Sequence, residues 1–73
     1  MKNSDMQEIV GKAAGDIWQY LKENGPSTAL KIKSALGISN SILHLGLGWL
    51  SREGKVEIAE SGHTLNISLK SDA

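Results

Sequence analysis

Only three residues, Gly37-Ile38-Ser39, separate two segments that both read as helix. Glycine just after a helical stretch stops it in a left-handed conformation, and serine is a preferred residue for starting the next helix. Two helices joined by so short a turn must meet at a steep angle, which marks a helix-turn-helix. Ile38 then serves as the apolar plug of the turn. This constraint organises the rest of the chain.

The upstream helix of the pair starts at Thr28, a suitable N-cap, and covers Ala29 to Leu36 with Leu30, Ala35 and Leu36 as inward candidates. The downstream helix runs from about Asn40 to Glu53, and Gly54 closes it. Before them, Met6, Ile9, Val10, Ala13, Ala14, Ile17, Trp18 and Leu21 recur at helical spacing along one broad face. Ser4 or Asp5 can cap that first helix, and Gly25-Pro26 ends it. Gly11 and Gly15 weaken it by roughly 1 kcal/mol each relative to alanine.

After Gly54 the apolar period changes to two. Lys55-Val56-Glu57-Ile58 alternates, Glu60-Ser61-Gly62-His63 turns, and Thr64 to Leu69 alternates again, which predicts a β-hairpin. The order helix, helix, turn, helix, hairpin predicts an α+β winged helix-turn-helix with a two-stranded wing. Pro26-Ser27 stands where a short extra strand would lie beside it. The expected organisation is an N-terminal tail over residues 1–4, one domain over 5–69, and a C-terminal tail over 70–73.

The third helix carries an unusual surface. At about 100° per residue, Leu43, Leu47 and Leu50 fall on one stripe, and Ile42, Leu45 and Trp49 on a second about 145° away. A surface helix needs a single apolar stripe. The first stripe is expected to face the other helices, leaving Ile42, Leu45 and Trp49 where a reading helix would meet a DNA major groove. Base readout wants Arg, Lys, Asn or Gln there. The outer positions offer only Asn40 and Arg52. Lys31, Lys33 and Lys55 are in reach of phosphate, but Glu57 and Glu60 would repel it.

The apolar side chains carry more energy, since each fully buried leucine or isoleucine contributes about 1.5–3 kcal/mol. Gly46 and Gly48 cost roughly 1 kcal/mol each inside a helix, and close approach of another backbone would explain them. The outer face, with Ile42, Leu45, Gly48 and Trp49, therefore reads as a protein-binding surface, most simply one pairing with its own copy. Two alternatives stay open. The stripe folds under the wing or N-terminal segment of its own chain, or it serves another partner. The competing function is a nucleic-acid-binding, regulator-like domain using Lys31, Lys33, Asn40, Arg52 and Lys55.

Eight basic and eight acidic residues give zero net charge, which argues against strong nonspecific nucleic-acid affinity and favours self-association. A chain of 73 residues buries only about 60% of its unfolded surface. With no cysteine, disulfides are excluded as added support, and a partner subunit is the available source. The polar start MKNSDMQEIV has no signal-peptide core. The charge-free run from Ser34 to Ser51 is broken by GISN and four further polar residues, Ser34, Ser41, His44 and Ser51, so no membrane span is expected. A soluble, cytoplasmic protein follows as the expectation.

No metal, cofactor, small-molecule substrate or enzymatic activity is expected. His44 and His63 lack further ligands and read as surface residues. Ser61-Gly62 reads as a turn, and Trp18 and Tyr20 as core packing. No phosphate-binding glycine loop and no convergent set of titratable groups is present.

The segments AAGDIWQYLKENGPST, KIKSALGIS and GLGWLSREGKVE together resemble a small bacterial winged helix-turn-helix family of unknown function. The most specific part runs from Gly46 to Val56, joined by Ile17-Trp18, Tyr20-Leu21 and Asn24-Gly25-Pro26. The resemblance spans roughly residues 8 to 69. It implies the winged fold and a homodimer, and no catalytic residues or ligand. The wider superfamily is rich in DNA-binding regulators, whereas Ile42, Leu45 and Trp49 depart from the polar, basic pattern of DNA readers.

Overall fold

The computed structural model describes residues 4–70. Its elements are α1 (Ser4–Asn24), β1 (Ser27–Thr28), α2 (Ala29–Leu36), α3 (Asn40–Arg52), β2 (Val56–Ser61) and β3 (Thr64–Leu69). The strands form one antiparallel sheet in the order β1-β3-β2. The fold is an α+β winged helix-turn-helix, with three helices and a third short strand beside the hairpin.

The local signals act where their chemistry predicts. Thr28 is extended, and its Oγ1 accepts from the Lys31 amide at 3.1 Å. Ser39 repeats this for α3, its Oγ accepting from the Ile42 amide at 3.1 Å. Gly37 is left-handed at φ 66°, and its amide donates to Lys33 O, satisfying a carbonyl that the helix end leaves open. Gly25 ends α1 in the same way, with its amide on Leu21 O at 2.8 Å.

Ser39→Ala is expected to cost about 1 kcal/mol, because the Ile42 amide loses its acceptor. In a domain of this size that lowers the calorimetric Tm by about 4–8 °C. An unchanged Tm would mean that the cap contributes nothing to the turn.

Several boundaries differ from the sequence expectation. Ser4 and Asp5, the expected caps of α1, both lie within the helix, and the residues before Ser4 lie outside those described. At the other end the Lys70 amide donates to Lys55 O at 3.0 Å. The described elements thus run from Ser4 to Leu69, and the expected tail residues 1–3 and 71–73 lie outside the described range. The extra strand is Ser27–Thr28, pairing with Ile67 and Asn66, and excludes Pro26, which has no amide to donate. The hairpin is tighter than expected: Ser61 pairs with Thr64, leaving only Gly62 and His63 in the turn. Gly62 is at φ 64° and His63 is not, the pattern of a type II′ turn, whose twist suits paired strands.

One core gathers all three helices and the wing. Ile17 and Leu21 of α1, Ile32 of α2, Leu43 and Leu47 of α3 and Ile67 of β3 are fully buried, joined by Ala14, Leu50 and Val56. Trp18 and Tyr20 pack half-buried at its margin. In α2 the expected inward set is corrected. Ile32, not Leu30, is the buried residue; Leu30 is 71% exposed and Ala35 is also exposed. Residues two apart on a helix point about 200° from one another, so Leu30 and Ile32 cannot both face inward. Ala29, Ile32 and Leu36 share the covered stripe. Ile58, expected to point in, sits opposite Ile67 on an edge strand and remains exposed.

Candidate interaction surface

The outer face of α3 depends on how closely α3 approaches α1. These two helices make the broadest contact between helices in the domain. Gly46 is buried at their crossing, where a Cβ would lie 2.9 Å from Ile17 Cδ1 and 3.5 Å from Ala14 N. The close approach that Gly46 permits is therefore within this chain. Gly48, by contrast, is exposed and opens on empty space. Leu43, Leu47 and Leu50 are buried as expected.

The second stripe is divided. Ile42 is half-buried in a hollow shared with Ile9, Ala13, Leu36 and Ile38. Trp49 is 40% exposed, and its Cη2 sits 3.7 Å from the position of a Cβ on Gly11. Leu45 is 49% exposed. Part of the stripe is thus covered by α1 rather than by the wing, and the rest remains in water.

Two further apolar residues stand exposed on α1, of which Ile9 shares the hollow with Ile42. Met6 and Ile9 share the apolar spacing of α1, yet they are 51% and 48% exposed. The helix is 21 residues long, about 31 Å at 1.5 Å per residue, and its first turns run beyond the partners that cover Ile17 and Leu21. Periodicity alone cannot register this, because it reports a direction and not whether anything lies there.

The basic candidates are spread out. Asn40 and Arg52 sit at opposite ends of α3, about 18 Å apart along its axis. Lys31 and Lys33 stand on α2, the former exposed and the latter half-buried. Arg52 lines a hollow with Trp49 and Glu53. Lys55 turns toward α1, its Nζ 6.0 Å from the centre of the Trp18 ring, where Lys22 Nζ also lies at 4.7 Å. The 18-to-22 spacing on a helix was the available signal for the Lys22 contact. Among the described residues the only ion pair is Lys12–Asp16, at 2.9 Å, so none of these basic groups is held by a carboxylate.

His44 donates through Nδ1 to Asn40 O at 2.8 Å, and it lines a hollow that also contains His63 and Leu30. Among the described residues no group of three or more His, Cys, Asp or Glu is placed to hold a metal ion. No described helix is long and apolar enough to cross a membrane.

The architecture is similar to that of HlyU from Vibrio cholerae, with a TM-score of 0.66, 26% identity, and coverage of 96% of this chain and 80% of that one. In sequence the chain is similar to the uncharacterized protein MJ1608 of Methanocaldococcus jannaschii, with 32% identity over 69 residues, 90% of this chain and 97% of that protein. A family model described as a winged helix-turn-helix domain (DUF2582) matches residues 3–69, nearly the whole length, including the Gly46–Val56 segment and both caps of the helix-turn-helix. The chain therefore belongs to the DUF2582 family of winged helix-turn-helix domains.

Proposed function

We propose that this domain is a non-enzymatic recognition module that pairs with a second copy through the apolar surface shared by α1 and α3. The observation that carries this reading is the simultaneous exposure of Met6, Ile9, Leu45 and Trp49 on two helices packed against each other. Exposed apolar patches mark interaction sites on small soluble domains. A two-fold pair buries the same patch on both subunits. Zero net charge removes long-range repulsion between the copies. The exposed Gly48 lets a second helix approach beside Leu45.

Sedimentation equilibrium tests the reading. The unmodified chain is expected to dimerise at micromolar concentration, and Leu45→Lys to weaken the dimer roughly 100-fold, the scale of a central contact. Leu45 is half in water, so the variant keeps the monomer fold, which circular dichroism checks. A monomer at every concentration, or a Leu45→Lys dimer as tight as the original, overturns it.

A second reading, nucleic-acid binding through Lys31, Lys33, Asn40, Arg52 and Lys55, is favoured by the absence of carboxylate partners for the three lysines and Arg52 among the described residues. It predicts an affinity for duplex DNA that falls steeply as salt rises. No binding at low salt removes it.

A further inference from the structure

A slot of about 190 Å³ lies between α1 and the end of α3, lined by Gly11, Gly15, Trp18 and Trp49, with the exposed Glu53 and Lys55 at its margin. The two glycines differ. Gly11 is accounted for by the Trp49 indole, which rests where its side chain would be. Gly15 sits mid-helix, where glycine is unfavourable relative to alanine, yet among the described residues nothing beyond its chain neighbours and its own helix backbone comes within 4 Å of a Cβ built there. The space above it is the slot itself. The walls include both tryptophans of the chain.

The charges beside the slot point to the rest of a ligand. Lys22 and Lys55 bring their ammonium groups to the same Trp18 ring, at 4.7 and 6.0 Å from its centre. Neither has a carboxylate partner among the described residues. Each lacks the counter-charge that an anion held beside the Trp18 ring would supply. Arg52 adds a third cation in the adjoining hollow beside Trp49. Among the residues that line the slot and this hollow, Arg52 and Lys55 are the cations and Glu53 is the one carboxylate.

The geometry points to a ligand site in which a flat aromatic ring enters the Trp18–Trp49 slot over Gly15 while an attached phosphate or carboxylate lies against Lys22 and Lys55. Aromatic faces stack favourably on tryptophan. The slot is smaller than the roughly 300–1,000 Å³ of a pocket that encloses a whole ligand, so it admits one ring system and leaves the anion near the surface. Every group comes from one chain, but Trp49 also belongs to the surface proposed above for pairing, so the Leu45→Lys variant is titrated beside the original.

The indole N–H resonances of nitrogen-15-labelled protein test this directly, because both indoles line the slot. The probes are adenosine 5′-monophosphate and indole-3-acetate, which pair a ring with a phosphate and a carboxylate. Adenosine and inorganic phosphate each carry one half of that chemistry. Saturable change is expected with at least one ring-bearing anion and at least fivefold weaker with the separate halves. Lys22→Gln and Lys55→Gln are each expected to weaken binding by up to about fivefold, the range of exposed charge contacts. Glu53→Gln is expected to strengthen it. Gly15→Ala is the decisive variant: it raises helix propensity, so the fold is retained, but its methyl enters the slot and reduces affinity roughly tenfold or more. The site is overturned if neither probe binds at millimolar concentration, if Gly15→Ala binds as tightly as the original, or if removing both lysine charges leaves affinity unchanged.

Discussion

Gly46→Leu is expected to abolish the native fold near room temperature. A Cβ at this position already lies 2.9 Å from Ile17 Cδ1, 3.5 Å from Ala14 N and 3.7 Å from Ala13 C. A single methyl meets only the flexible end of Ile17, which can shift. Leucine carries three more carbons, and behind Ile17 stands the backbone of α1, which cannot yield. The helices must then separate, exposing Ile17, Leu21, Leu43 and Leu47, each contributing about 1.5–3 kcal/mol when buried. At roughly 0.05–0.15 kcal/mol per residue, a chain of 73 residues has a total stability of only about 4–11 kcal/mol. Far-ultraviolet circular dichroism should show no cooperative melt. Gly46→Ala should fall within about 1 kcal/mol of the original, since its gain in helix propensity offsets the displaced Ile17. A Gly46→Leu variant melting within a few degrees of the original would show that α1 and α3 do not cross at this residue.

The second large effect separates two faces of α2. Ile32→Ala should cost about 2–5 kcal/mol, because Ile32 is fully buried and its removal leaves a cavity among Ile17, Leu43 and Ile67 of the same core. Leu30→Ala should change stability by no more than about 0.5 kcal/mol, because Leu30 is largely in water. Urea unfolding of the two variants decides the matter. The opposite ranking would mean that α2 is rotated by about half a turn, as the sequence pattern alone suggested.

That second pair shows where periodicity fails. Over eight residues, Ala29 to Leu36, either of two apolar stripes fits the spacing, and the choice depends on what α1 and β3 place beside the helix. The same limit applies to α1. Met6 and Ile9 share the spacing of Val10, Ala13 and Ile17, but the helix outruns the elements that cover it. For the candidate surface, Ile42, Leu45 and Trp49 were legible as a second stripe on α3. That α1 half-buries Ile42 and braces Trp49 was not, nor was the meeting of Trp18, Trp49 and Lys55 at one slot. These residues lie up to 37 positions apart, and no local pattern connects them.

The turn at Gly37-Ile38-Ser39, the caps Thr28 and Ser39, the stop at Gly54 and the change of period that makes the wing all follow from the chain's own order of residues. Each rests on contacts within about four positions, which a short stretch carries wherever it is placed. The roles of Gly46 and Gly48 were settled differently. Both are mid-helix glycines two residues apart, alike in propensity, yet one is buried beneath α1 and the other faces open space. The angle at which two helices cross made that distinction, and such an angle comes from packing the whole core at once.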